Sequence, residues 1–236
     1  MRKHVIEWIM ACLLLVSFYF LSRQAAQVSV EMGSRQNGTE TIIVDPGHGG
    51  KDPGMVGVGG LEEKGINLEI SLKLKKILEE RGYRVILTRE KDEGLYDESA
   101  DNKKAQDLQR RIALIDEENP LLAVSIHQNS YEDPQVKGPQ IFYFESSGEG
   151  KKLAECIQKR MNEALGAENG RTAKGNTSYY LLKRSSSVLV IAECGFMTNA
   201  EEAALLQTEE YQRRIAEAVA DGIEEYLAAA GKENVS

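Results

Sequence analysis

Histidine and cysteine are both scarce in this chain. Of three histidines in 236 residues, only His48 and His127 lie beyond the N-terminal apolar segment. The three cysteines, Cys12, Cys156 and Cys194, show no paired spacing and no Cys-x-x-Cys motif. This argues against a disulfide scaffold and against a thiolate zinc site. Basic charge is also lacking, since the net charge is −8. We therefore expect no nucleic-acid partner, which would require a basic surface.

The first 23 residues combine a basic start with an apolar run. Such a segment is typical of a secretory signal or a membrane anchor. The residues after Arg23 form a poor cleavage site, which favours an uncleaved signal-anchor and contact with the membrane through this segment. Either alternative carries the rest of the chain across the membrane. Polar residues 24–40 are expected to form a linker, and residues 41–230 the folded domain.

Apolar runs alternate with helical patterns through the predicted domain. A run of β-branched residues at 42–44 predicts a buried strand, which Asp-Pro and a glycine-rich turn end abruptly. Strands alternating with helices predict a single α/β domain with a mostly parallel central sheet flanked by helices. A further short strand is expected at 179–182.

Residues 89–105 are highly charged and contain few apolar side chains. This composition predicts a long exposed loop, and loops of such length often act as lids over functional sites. A gate that an accessory or activator protein moves is one role that this loop could have.

Ionisable side chains end three of the predicted strands, namely His48, His127 and Glu193. Sites in open α/β sheets lie at the carboxyl ends of strands. Glu63 lies in the first turn of the next helix, where the helix dipole also favours a carboxylate. Two imidazoles and one carboxylate, with a fourth position open, form a recognised catalytic zinc set. The spacing alone leaves a metal site and separate structural roles open, and composition does not distinguish Glu62 from Glu63 as the ligand.

Four segments carry a resemblance to a known family. They are Asp45-Pro46-Gly47-His48-Gly49-Gly50, Glu63-Lys64, Ser125-Ile126-His127-Gln128-Asn129 and Glu193-Cys194-Gly195-Phe196-Met197-Thr198-Asn199. Their order resembles that in the catalytic domain of zinc-dependent N-acetylmuramoyl-L-alanine amidases, which are bacterial cell-wall hydrolases. Further similarity at Leu87-Thr88-Arg89 and at residues 107–111 extends the resemblance over essentially the whole predicted domain.

The resemblance implies a zinc ion held by His48, Glu63 and His127, with Glu193 as the catalytic carboxylate. Glu63 is preferred as the ligand because Lys64 follows it. The implied substrate is peptidoglycan, cleaved between N-acetylmuramic acid and L-alanine. Glu193 would take a proton from water and pass it to the leaving nitrogen of L-alanine.

Other polar residues in these segments have possible supporting roles. Arg89 and Arg111 could bind carboxylates of the stem peptide, or they could form structural ion pairs. Asn129 could donate hydrogen bonds to the substrate. Asp45 could support a ligand imidazole or simply begin the turn. Cys194 is a poor candidate nucleophile, because both histidines are already assigned to the metal.

The membrane-tethered layout resembles that of sporulation amidases, which act on spore cortex as a step towards muramic δ-lactam. Two alternatives remain. A non-catalytic wall-binding or regulatory module of the same fold would typically have lost a ligand or the catalytic carboxylate. A zinc peptidase would cut within the stem peptide instead.

Overall fold

Six strands form one central sheet in this computed structural model, which describes residues 40–166 and 170–233. The strands are β1 (Thr41–Pro46), β2 (Arg84–Leu87), β3 (Leu122–Asn129), β4 (Gln140–Phe144), β5 (Lys174–Asn176) and β6 (Leu189–Phe196). Their order across the sheet is β2-β1-β3-β6-β4-β5. Neighbouring strands run parallel, except that β4 is antiparallel to β6. The predicted α/β class is confirmed, but the sheet is mixed.

Helices cover both faces of the sheet. They are α1 (Glu63–Glu80), α2 (Lys103–Glu118), α3 (Gly148–Leu165), α4 (Tyr180–Arg184), α5 (Ala200–Leu205) and α6 (Glu209–Glu233), with a 3-10 turn at Val58–Gly60. Apolar side chains of α1, α3 and α6 pack on one face of the sheet, and those of α2 and α4 pack on the other.

The β-branched run of β1 is buried on both sides, as parallel strands covered by helices usually are. Ile42 and Val44 belong to the core under α1, α3 and α6, whereas Ile43 belongs to the core under α2 and α4. This alternation follows from the two-residue repeat of a strand. β1 is therefore fixed from both faces, and the loop that follows it starts from a rigid position.

The strand predicted at 179–182 is wrong. The short strand lies earlier, at Lys174–Asn176, and residues 180–184 form α4. The cause is an Asx turn, in which Asn176 Oδ1 accepts hydrogen bonds from the backbone N–H groups of Ser178 and Tyr179 at 2.8 Å. This turn reverses the chain before the apolar residues that resemble a strand.

The segment predicted as an exposed loop, 89–105, is held by several contacts. Tyr96 Oη accepts a hydrogen bond from Lys51 N at 2.7 Å, and Asp107 Oδ1 accepts one from Leu95 N at 2.6 Å. Arg89, at its start, is buried, and α2 already begins at Lys103. The loop forms a wall beside the β1–α1 connection.

The predicted anchor at 1–23 and the predicted linker up to residue 39 lie outside the described residues. Within the two described ranges, no helix is long and apolar enough to span a bilayer.

Candidate metal centre

The carboxylate of Glu63 lies between two imidazoles. Its Oε1 is 3.0 Å from His127 Nδ1, and its Oε2 is 3.2 Å from His48 Nε2. The two imidazole ring centres are 4.9 Å apart. One potential ligand atom from each of these three residues lies within 4.8 Å of the others. The neighbouring Glu62 is exposed and pairs with Lys64, so Glu63 is the carboxylate in the cluster.

Backbone and amide groups hold the Glu63 carboxylate in place. Oε2 accepts a hydrogen bond from Met55 N at 2.8 Å, and Oε1 accepts one from Gln128 N at 3.0 Å. Burial alone would raise the pKa of Glu63, but the contacts with His127 and His48 hold it far below its usual range. Glu63 is therefore ionised, as a carboxylate that binds a cation must be.

The pocket also stabilises positive charge at His48. Burial opposes the charged imidazole, but Asp52 and Glu63 outweigh it and raise the pKa of His48 to about 9. Asp52 Oδ2 lies 3.0 Å from His48 Nδ1, on the opposite side of the ring from Glu63. Such a carboxylate–imidazole contact fixes the ring orientation of a metal ligand. The carboxylates of Asp52 and Glu63 that stabilise this charge would also attract a metal cation.

Two glycines allow the His127 and Glu63 side chains to approach the backbone this closely. A Cβ at Gly47 would lie 2.3 Å from the His127 ring, and one at Gly54 would lie 2.5 Å from Glu63 Oε2. Both distances are far below van der Waals contact, so these positions require glycine.

Glu193 lies on β6, paired in register with His127 on β3. Its side chain is buried, and its Oε2 has no hydrogen-bond partner among the described residues. Burial raises the pKa of Glu193 to about 7, although the neighbouring His127 opposes this shift. A carboxyl group with a pKa near neutrality can both accept and donate a proton at physiological pH.

The expectation that Asp45 supports a ligand imidazole is wrong. Its carboxylate accepts hydrogen bonds from Arg111 Nη1 at 2.6 Å, from Ser125 Oγ at 2.6 Å and from Thr88 Oγ1 at 2.5 Å. Nor does Asp45 begin a turn, because it lies within β1. The carboxylate on His48 comes from Asp52, which sequence reasoning missed although it stands only four residues further along the chain.

The suggested roles of Arg89 and Arg111 in binding substrate carboxylates are also wrong. Both side chains are buried, and both donate hydrogen bonds to backbone carbonyls of the loop that carries His48. Arg89 donates to the carbonyls of Pro46 and Gly47 at 3.0 Å. Arg111 donates to the carbonyl of Pro46 at 2.8 Å and to that of His48 at 2.6 Å.

These contacts stabilise an unusual backbone conformation. His48 has φ +62°, in the left-handed region that side chains other than glycine rarely adopt. The alternative of structural ion pairing holds for Arg111, which pairs with Asp45 and Asp107. Arg89 is structural in another way, since it donates hydrogen bonds to backbone carbonyls.

Asn129 is half-buried at the end of β3, where its Oδ1 accepts a hydrogen bond from Ser130 N at 2.8 Å. Its amide group remains a candidate for contact with substrate. Cys194 is fully buried on β6, and burial raises the pKa of its thiol far above neutrality. A buried neutral thiol is a poor nucleophile, which agrees with the sequence expectation.

Comparison with known families gives a match over most of the chain. The family model described as N-acetylmuramoyl-L-alanine amidase matches residues 42–225. Among curated proteins, the germination-specific N-acetylmuramoyl-L-alanine amidase of Bacillus subtilis (strain 168) is 36% identical over 193 residues, which cover 80% of this chain and 81% of that protein.

Solved structures show the same relationship. The CwlD amidase from Clostridioides difficile, solved in complex with the GerS lipoprotein, is 40% identical with a TM-score of 0.78, covering 81% of this chain and all (100%) of that chain. The amidase AmiC2 of Nostoc punctiforme is 34% identical with a TM-score of 0.70, covering 81% of this chain and 98% of that chain.

Proposed function

The chain belongs to the N-acetylmuramoyl-L-alanine amidase family and is an amidase of that type, and we propose that it works with zinc held by His48, Glu63 and His127. The chemistry of the donor set supports zinc, because imidazole nitrogens and a carboxylate oxygen are common zinc ligands. Zinc with an open coordination position acts as a Lewis acid and lowers the pKa of the water it binds to about 7.

The proposed bond is the amide between N-acetylmuramic acid and L-alanine in peptidoglycan. Glu193 Oε2 accepts the proton of the attacking water and then delivers it to the leaving nitrogen of L-alanine. The observation that carries this role is a buried carboxylate oxygen that has no partner within residues 40–166 and 170–233, on a residue paired with His127 across β3 and β6. The two neighbouring strands keep Glu193 in place, so the proton travels a short, fixed path.

The biological setting that we propose is spore cortex during sporulation or germination. Support comes from the similarity to a germination-specific amidase. The N-terminal segment would hold the domain on the outer side of the membrane, where peptidoglycan lies. An accessory protein partner is also part of the proposal, since one similar amidase was solved together with a lipoprotein.

Mass spectrometry of digested peptidoglycan tests the proposed reaction. Cortex and vegetative peptidoglycan are each incubated with the zinc-loaded protein and with Glu193→Gln, which keeps the size of the side chain but cannot accept the proton. We expect free stem peptides that begin with L-alanine, and a rate at least 10²-fold lower with the variant, because general acid–base catalysis typically contributes about 10²–10⁴-fold.

Other products would contradict parts of this proposal. Stem peptides cut internally would indicate a zinc peptidase. Binding to peptidoglycan without any product would indicate a non-catalytic wall-binding module. Full activity in Glu193→Gln would remove Glu193 from the mechanism, and an unchanged zinc content in His127→Ala would remove that ligand.

A further inference from the structure

We infer that a cavity lined by lysines beside the metal centre binds a free carboxylate of the substrate's peptide, with Lys104 as its main contact. This inference rests on the proposed function. The cavity, called here the lysine cavity, has a volume of about 260 Å³ and is lined by Lys51, Asp52, Tyr96, Lys103, Lys104 and Asp107.

The lysine cavity adjoins the catalytic groups. Asp52, Lys104 and Asp107 also line a smaller cavity of about 50 Å³, whose wall includes His48 and His127. A ligand held at the metal centre can therefore reach Lys104 through the smaller cavity.

The acidic side chains of the lysine cavity already have partners. Asp52 lies 3.0 Å from the His48 imidazole, whereas its distance to Lys104 Nζ is 3.7 Å. Asp107 forms an ion pair with Arg111 at 2.6 Å and accepts the Leu95 N–H at 2.6 Å. Asp52 Oδ2 is thus shared between His48 and Lys104, and it neutralises Lys104 only in part. The Lys104 side chain is 69% exposed.

The other two lysines share one carboxylate. Glu98 lies 2.6 Å from Lys51 Nζ and 2.7 Å from Lys103 Nζ, so these three side chains carry a net positive charge. Glu98 is itself 71% exposed. Exposed ion pairs contribute little, typically about 0–1 kcal/mol, and a carboxylate of the substrate can replace Glu98 without a large cost.

Tyr96 gives the cavity a fixed wall. Its hydroxyl accepts the Lys51 N–H at 2.7 Å, and Lys103 Nζ lies 5.6 Å from the centre of its ring. The Lys51 backbone is thus anchored, and the ammonium groups of Lys51 and Lys103 meet at Glu98. This is the arrangement that a carboxylate requires, since charge-assisted hydrogen bonds depend on donors already in position.

The stem peptide has the matching chemistry, because it carries free carboxylates beyond the L-alanine at the cleaved bond. Arg89 and Arg111 cannot serve them, as both are buried against backbone carbonyls. The lysine cavity, whose lining contains three lysines and two aspartates, borders the catalytic groups.

Two soluble substrates test the inference: a muramoyl peptide with free peptide carboxylates, and the same molecule with those carboxylates amidated. kcat and KM are measured for the zinc-loaded protein, for Lys104→Met and for Glu98→Gln. Lys91→Met is the matched control. Lys91 is an exposed lysine on the loop that precedes α2, it pairs with Glu93, and it does not line the cavity.

We expect Lys104→Met to raise KM for the free-carboxylate substrate about tenfold, as loss of one charge-assisted contact would, with little change in kcat. The amidated substrate should be unaffected by this variant. Glu98→Gln should lower KM for the free-carboxylate substrate, because Lys51 and Lys103 lose their competing carboxylate.

Equal behaviour of Lys104→Met and Lys91→Met on both substrates would overturn the inference while leaving the proposed function in place. If the unaltered protein released no peptide beginning with L-alanine from either substrate, the proposed function would fail, and this inference would fail with it.

Discussion

Arg111 is a fully buried cation that joins two carboxylates to the loop holding His48. Its guanidinium contacts Asp45 and Asp107 at 2.6 Å and the His48 carbonyl at the same distance of 2.6 Å. A buried charge is stable only when its partners satisfy it. This network therefore stabilises the unusual backbone conformation of His48. Removing one of its members would leave the remaining buried groups without a partner.

Replacing Arg111 should test this dependence. We expect Arg111→Met to lower the free energy of unfolding by about 3–5 kcal/mol, since it leaves two carboxylates without their buried partner. Arg110→Met is the matched control, because the adjacent arginine pairs with Asp97 at the surface and should cost about 1 kcal/mol or less. Urea unfolding of both variants measures the difference. Similar losses in the free energy of unfolding would show that Arg111 does not stabilise this loop more than a surface arginine does.

Asp45 makes stability depend on acid pH. Burial would raise its pKa, but Arg111, Ser125 and Thr88 together lower the pKa to about 2. In the unfolded chain an aspartate has a pKa near 3.9. The contribution of Asp45 is therefore complete above about pH 4 and is lost as the pH falls towards 2, on the order of 2 kcal/mol.

Urea unfolding of the unaltered chain and of Asp45→Asn between pH 5 and pH 2.5 measures this contribution. The variant cannot titrate at this position, so the difference in stability between the two proteins should shrink as the pH falls. A constant difference across this range would mean that the pKa of Asp45 is not lowered by folding.

The sequence allowed the grouping of His48, Glu63, His127 and Glu193 to be predicted, and the structure brings these four side chains to one place. The ends of parallel strands left a metal site and separate structural roles open, and the family resemblance carried by the order of the motifs implied the grouping. The roles of Arg89 and Arg111 could not be predicted in the same way. A charged side chain turns inward only when distant backbone groups accept its hydrogen bonds, and those acceptors become neighbours only in the folded chain.

Among the elements, the connection from β1 to α1 has strict steric limits, because its glycines lie against the side chains of the proposed metal centre. The Gly47 Cα lies so near the His127 ring that a methyl group would displace the imidazole. We expect Gly47→Ala to weaken zinc binding about tenfold or more, as changes next to metal ligands typically do, while the fold persists.

Gly65→Ala provides the control for that variant. Gly65 lies on α1, where an added Cβ would meet no described atom within 4 Å. Alanine in a helix is more favourable than glycine by about 1 kcal/mol, so this variant should bind zinc normally and unfold at slightly higher urea concentration. Zinc affinity measured by competition with a chelator compares the two, and equal affinities would contradict the close contact at Gly47.

The elements that sequence reasoning misjudged share a physical cause. Residues 179–182 are apolar like a strand, but the Asn176 side chain turns the chain so that they form α4. The antiparallel direction of β4 was not predicted, because the residues of a short apolar strand do not indicate its direction. The length of the connection at 130–139 does indicate it, since this connection is shorter than the usual crossover between parallel strands.

At the scale of the whole molecule, the site lies on the carboxyl-terminal side of three interior strands of the sheet, β1, β3 and β6. β1, β3 and β6 run parallel. His48 follows β1, and His127 and Glu193 lie in the carboxyl-terminal halves of β3 and β6, so the three side chains come together. The segment 89–105 was expected to be an exposed loop, and most of its residues are exposed. Contacts of Tyr96 and Leu95 also make it a wall beside the β1–α1 connection. Its charged composition reflects the outer surface of that wall and gave no indication of the contacts on its inner side.

The boundary at Thr41 gives a prediction for the whole domain. β1 begins at Thr41 and lies between β2 and β3 in the sheet. The described core therefore needs this strand, and Thr41 is the first residue of the sheet.

We propose that a chain starting at Thr41 folds independently. It should unfold in urea in one cooperative transition, at the same midpoint as the full chain in the same detergent, and release the same peptides from peptidoglycan. A chain starting at His48 is the control; it lacks β1 with its three buried β-branched residues Ile42, Ile43 and Val44, and it should not fold. A lower midpoint for the chain starting at Thr41 would mean that residues before it contribute to the stability of the domain.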